Sequence, residues 1–210
     1  MTTHPSTRNH TARRGPLFTA AIVLAGTLAV GLPRPAFADG ITPPTVPGDI
    51  VVEAGNKPFL QGHATGTQNY TCQVSGSGFA WTFSGPQAAV SDSNGGIINH
   101  FLSPNPDEGG TPRPTWQRAQ DQSTVWGRAT GTSEDPAFVA AGAIPWLRLQ
   151  AVGAEYGPDG GDKLVQTTFI QRVNTSGGRA PSTGCSASTD VGTTQAVPYT
   201  ADYIFYKRAD

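Results

Sequence analysis

Between Val197 and Phe205 every second residue is apolar: Val197, Tyr199, Ala201, Tyr203 and Phe205. A strand turns successive side chains to opposite faces, so this run makes one continuous apolar face in extended chain. At the 3.6-residue period of a helix the same residues would scatter around the axis. The pattern recurs along the chain. "QNYTCQV" aligns Tyr70, Cys72 and Val74; "GFAWTFSG" aligns Phe79, Trp81 and Phe83; "PWLRLQAV" sets Leu147, Leu149 and Ala151 against Trp146, Arg148 and Gln150. Leu164 to Val173 reads as a strand long enough for the middle of a sheet, and Trp126 sits in another, "STVWGRATG". Gly, Pro, Asp and Asn separate these runs, as turns require. Helical signals are confined to "SEDPAFVAAG", where Asp135 caps, Pro136 opens and Gly142 stops a short helix or a single turn. The expected fold is all-β: a single-domain β-sandwich or barrel with at most one short helix.

Residues 1–38 read as a leader rather than as fold. Arg13 and Arg14 precede the apolar run Leu17–Leu32, and Ala36 and Ala38 offer a small-residue cleavage site. That is the layout of a secretory signal peptide, and the run is shorter than the roughly 20 residues of a membrane span. Gly15 and Pro16 follow the arginine pair where a twin-arginine signal prefers an aromatic, so Sec export with cleavage after Ala38 is expected. The protein would then be secreted and extracellular, with no membrane attachment after cleavage. Three prolines in Ile41–Pro47 make residues 39–48 an extended lead-in, leaving 49–210 as one β domain. Four of the fourteen Lys and Arg (Arg8, Arg13, Arg14 and Arg34) and none of the fifteen Asp and Glu fall in the leader. The remainder is therefore acidic and carries no basic run, which argues against nucleic acid as a partner. Cys72 and Cys185 are the only cysteines, and in an exported chain they are expected to form one disulfide.

Motifs for chemistry are scarce. "NTSGGRAP" lacks the lysine of a phosphate-binding loop, and Ser176 has Asn174 where a nucleophile elbow needs its first glycine. It reads as a turn leading to Cys185, with Arg179 as an anion contact if it has a further role. Glu155, Asp159 and Asp162 around "GPDGG" lack calcium-loop spacing, so no metal is expected. "SPNPDEGGTPRP", Ser103 to Pro114, is polar, rich in Pro and Gly, and expected to be a mobile loop. His100, on a strand in "GGIINHFL", is the residue best suited to act as a base or to contact a ligand.

Spread along the chain are "GTQNYTC", Trp81, Pro86, Ala88, His100, Pro114, Trp116, "D-x-S-x-V-x-G" from Asp121 to Gly127, "IPWLRL", "IQRVNTSGGRAP" and "VPYTADYIFY". In these the chain resembles the family termed domain of unknown function 3455, secreted bacterial and fungal proteins, over nearly all of residues 39–210. The stretch between His100 and Trp116 is longer than usual for it. The resemblance implies a secreted single domain with no established activity. A dehydrogenase label borne by some relatives does not transfer: "GSGFAW" lacks the third glycine of a dinucleotide fingerprint, and no cofactor is expected. The resulting expectation is a non-enzymatic binding or surface-interaction module for a cell-wall or extracellular polysaccharide. His100, Trp116, Asp121 and Arg172 would form its exposed ligand face. The alternatives are a hydrolase using His100 as base and Asp121 as its orienter, and a structural extracellular protein with no small ligand. Oligomeric state is left open.

Overall fold

The computed structural model describes residues 40–210; the expected leader lies outside them. Eight antiparallel strands follow one another around a closed barrel: β1 Asn56–Ser75, β2 Gly78–Asp92, β3 Ile97–Asn105, β4 Thr111–Arg118, β5 Thr124–Ser133, β6 Trp146–Glu155, β7 Phe169–Gly177 and β8 Thr194–Arg208. Pairing of β1 with β8 from Asn56↔Arg208 to Thr71↔Thr194 closes the sheet and leaves it without an edge. Helical structure among the described residues is limited to short 3-10 turns. At "SEDPAFVAAG" the structure holds a single turn, with Asp135 accepting from the Ala137, Phe138 and Val139 amides.

Period-two alternation decides which side chains fill the barrel. Leu60, Ala64, Val90, Ile98, Trp116, Val125, Leu149, Ile170, Tyr199, Ala201, Tyr203 and Phe205 form the interior core. The opposite face of β6, β7 and β8 is also apolar, with Trp146, Phe169, Val173, Ile204 and Tyr206. It is covered by Ile41, Val46, Ile50 and Val52, so the Pro-rich lead-in is a packed strap over the outer wall. Gln171 Nε2 donates to Ile50 O at 2.7 Å and Arg148 Nη1 to Val51 O at 2.7 Å, fastening it.

Three expectations need correction. Ser103–Pro114 is not a mobile loop: β3 and β4 pair through Asn105↔Thr111, forming a hairpin arm. Asn105, fully buried, donates to Val152 O at 3.1 Å and Glu108 Oε2 at 2.9 Å, and Glu108 takes a two-pronged bond from Arg113. Side-chain hydrogen bonds thus supply the order that an apolar pattern could not announce. The strand expected from Leu164 begins only at Phe169; Leu164 is instead a fully buried plug, held by Leu164 N→Ser123 Oγ. Finally, Val74 shares a face with Tyr70 and Cys72 but is 68% exposed, because the β1–β2 hairpin runs on past the barrel wall.

Cys72 and Cys185 form the disulfide, with Cα atoms 5.5 Å apart. It ties the end of β1 to the β7–β8 connection, which also hydrogen-bonds through Cys72 N→Thr193 O and Gly192 N→Cys72 O, both 2.9 Å. In an up-and-down barrel consecutive turns alternate between the two ends. The β5–β6 and β7–β8 connections therefore share one end, and the β4–β5 and β6–β7 connections the other.

Candidate ligand-binding site

Beyond the pair Ala88↔His100, β2 stays with β1 while β3 stays with β4. The ladder between β2 and β3 stops there, although Gly85 still lies against Leu102, and a cavity of about 240 Å3 lies at the end that carries the β5–β6 and β7–β8 connections. Its walls are mostly apolar: Leu147 and Leu149 from β6, Ile144 and Pro145 before it, Phe83 and Pro86 from β2 and Pro114 from β4. The floor is aromatic. His100 stacks on Trp116 at 4.3 Å between ring centroids and 10° between planes, and Tyr203 meets both edge-on at 5.0 and 5.6 Å.

Local sequence explains how this floor fits inside. His100 and Trp116 are directly opposed in the β3–β4 register, so two flat rings fall side by side on the inner face. Gly127 makes the space: a Cβ there would stand 3.0 Å from Trp116 Cζ3 and 3.3 Å from Leu149 Cβ. The Gly-Gly turn of "NTSGGRAP" packs behind three of the lining residues, Gln68, Tyr70 and Ile144. Gly178 adopts φ +82°, and a side chain would press on Tyr199, Ile144 and Gln68. Its carbonyl accepts from the Tyr70 hydroxyl at 2.7 Å. This stretch is thus a turn before a cysteine, and it supports Tyr70, which lines the cavity. Arg179 is engaged elsewhere, with Ala143 O and Glu134.

Polar groups on the cavity are few. Arg172 projects inward from β7, and its Nε and Nη2 both donate to Pro145 O, at 3.2 and 2.9 Å. The Gln68 amide nitrogen and the Trp116 indole nitrogen are buried without a hydrogen-bond partner. His100 Nδ1 lies 2.9 Å from the Thr115 carbonyl. A carbonyl only accepts, so Nδ1 carries the proton and Nε2 the lone pair. Burial lowers the His100 pKa to about 3, against the pull of the Thr115 carbonyl and aided by the charge of Arg172. The imidazole is neutral at physiological pH. Burial also raises the pKa of Tyr70 and Tyr203, while Arg172 pulls both down.

Of the four residues expected at a ligand face, three meet here. His100, Trp116 and Arg172 line the cavity, but His100 is only 3% exposed and Trp116 is fully enclosed. No flat outward platform exists at these residues, because both rings lie on the inward parity of their strands. Asp121 is at the other end of the barrel. Its carboxylate accepts from Ser123 N and Oγ and from Lys163 N, with Arg118 Nη1 at 3.8 Å. It ties the β4–β5 turn to the β6–β7 connection and orients no histidine. The His–Asp pair that does form is His63 with Asp202, 2.7 Å apart on the outer wall, with Asn174 donating to the same carboxylate. Among the described residues no three His, Cys, Asp or Glu side chains converge to hold a metal. Gln68 and Tyr70 escaped the sequence reading. The usable signal was parity: a glutamine on the face of Tyr70 and Cys72 is a polar group in the core.

Residues 53–207 match the model of a family described as protein of unknown function (DUF3455), from just before β1 nearly to the end of β8. No curated protein and no solved structure matches the chain.

Proposed function

The chain belongs to the DUF3455 family, whose description assigns no activity, and from that starting point we propose that it is a secreted binding module whose barrel holds a small, planar, largely apolar molecule. The observation that carries this reading is the cavity itself: about 240 Å3, apolar-walled and floored by the His100–Trp116 stack. An enclosed apolar space of about 150 Å3 accommodates a benzene ring, so two fused rings fit the size. Small closed barrels with room for one ligand are a recurrent binding architecture. A long polysaccharide needs an open aromatic face, which Trp116 and His100 do not offer; a single ring or chain end fits better.

The hydrolase alternative loses support on two counts. A base whose pKa is near 3 has little proton-abstracting power at neutral pH, and the orienter proposed for it, Asp121, is bonded elsewhere. Export is supported by the leader pattern of residues 1–38 and by the disulfide, which persists in oxidising compartments.

The test uses the uncharged fluorescent two-ring probe 2-naphthol. Saturable one-to-one binding to the protein is expected, lost in Leu147→Trp, which fills the cavity while keeping an apolar side chain on β6. Absence of binding, or equal binding by a folded Leu147→Trp protein, would refute the cavity as a binding site and favour a structural role.

A further inference from the structure

The polar groups of the cavity are unbalanced. Arg172 contributes a permanent positive charge, and no Asp or Glu lines the space. Among the described residues no carboxylate stands within 4.0 Å of its guanidinium. A guanidinium carries five N–H donors; the two bonds to Pro145 O use Nε and Nη2, and the Tyr203 hydroxyl is a neutral neighbour that supplies no countercharge. The Gln68 amide, in a residue 3% exposed with the Tyr199 hydroxyl nearby, and the indole N–H of the fully buried Trp116 add donors that make no well-formed hydrogen bond within the protein. Native structures seldom leave buried donors unpaired, and here two of them share a cavity with an uncompensated cation. The remaining groups cannot supply the missing acceptor charge: His100 is neutral, and Tyr70 and Tyr203 keep their protons.

We propose that the ligand is an anion, a planar aromatic carboxylic acid, bound as its carboxylate by Arg172, Gln68 and Trp116 with its rings against the apolar walls. This rests on the small-molecule reading above and narrows it to a charge class. An organic cation is disfavoured by Arg172. A neutral hydrocarbon would leave the Gln68 and Trp116 donors unpaired and the charge of Arg172 uncompensated. Arginine suits a carboxylate because its planar fork can present two parallel N–H groups to the two oxygens.

The experiment compares 2-naphthoate with 2-naphthamide, which share rings and size and differ in charge, by calorimetric titration of the protein near neutral pH. The acid is expected to bind at least about tenfold more tightly, as charge-assisted hydrogen bonds allow. That advantage should fall below about twofold in Arg172→Gln. Gln68→Leu keeps the shape and removes one donor, and should weaken the acid more than the amide; it serves if Arg172→Gln does not fold. Equal binding of acid and amide by the wild-type protein overturns the anion proposal while leaving the binding reading intact. So does an acid preference that survives in folded Arg172→Gln. Binding of neither compound overturns both.

Discussion

A neutral imidazole held inside an apolar barrel makes the protein's stability depend on pH in one direction. The His100 pKa lies at about 3 in the fold and near 6.5 when the chain is unfolded. Above about pH 6.5 neither state binds the proton and the group is silent. As pH falls from there towards about 3, only the unfolded state protonates, so stability drops through that window. At pH 5 the loss is at most about 2 kcal/mol, or roughly 4–8 °C in Tm for a domain of this size. His100→Gln can still donate to Thr115 O but does not titrate. Its Tm should therefore fall less than the wild type's between about pH 7 and pH 5, read by thermal melts at both values. An equal fall would show that the ring is not the proton acceptor in question. Gly127 is a second single-residue test. Its Cβ would meet the Trp116 ring, so Gly127→Val should cost about 1–3 kcal/mol by overpacking and perturb near-ultraviolet circular dichroism. At this scale the sequence pointed to His100, Trp116 and Arg172 but misjudged their exposure. Residue type suggested chemistry, whereas inward parity decided placement. Asp121 misled because a carboxylate that satisfies two backbone amides looks, in sequence, like one free for a ligand.

Elements were legible wherever the apolar alternation was strong. β8 shows it plainly, and Tyr199, Ala201, Tyr203 and Phe205 do face the core. The β3–β4 arm was not legible, because Asn105, Glu108 and Arg113 hold it by hydrogen bonds in a stretch with no apolar period. Asn105→Ala removes the bonds to Val152 O and the Asp107 amide and should cost about 1–3 kcal/mol. Hydrogen exchange should then quicken in residues 101–115 before the rest of the barrel; a uniform change would contradict the role given to the arm. The disulfide ties the end of β1 to the β7–β8 connection. It closes a span of 113 residues, for which chain entropy allows about 4–5 kcal/mol. Cys72→Ser/Cys185→Ser should therefore melt well below the wild type. An unchanged Tm would mean that Cys72 N→Thr193 O and Gly192 N→Cys72 O suffice to hold the connection.

For the whole molecule, eight strands could have closed as a barrel or stacked as a sandwich. The choice rests on β1 pairing with β8, a contact between opposite ends of the domain that local alternation cannot reveal. Closure is what turns the alternating face into an enclosed space, and the cavity lies within it at the end of the β5–β6 and β7–β8 connections. Export should be visible at the same scale: protein recovered from the growth medium should begin at Asp39 by N-terminal sequencing, and an intact Met1 terminus would contradict the leader reading. The most direct test of the binding account is the set of indole N–H resonances of the four tryptophans in 15N-labelled protein, assigned by Trp→Phe variants and followed during titration with 2-naphthoate and 2-naphthol. The account predicts a saturable shift of the Trp116 resonance, with Trp126 and Trp146, whose indole rings lie outside the cavity lining, little changed. A Trp116 resonance that stays still at saturating concentrations of both compounds would contradict it.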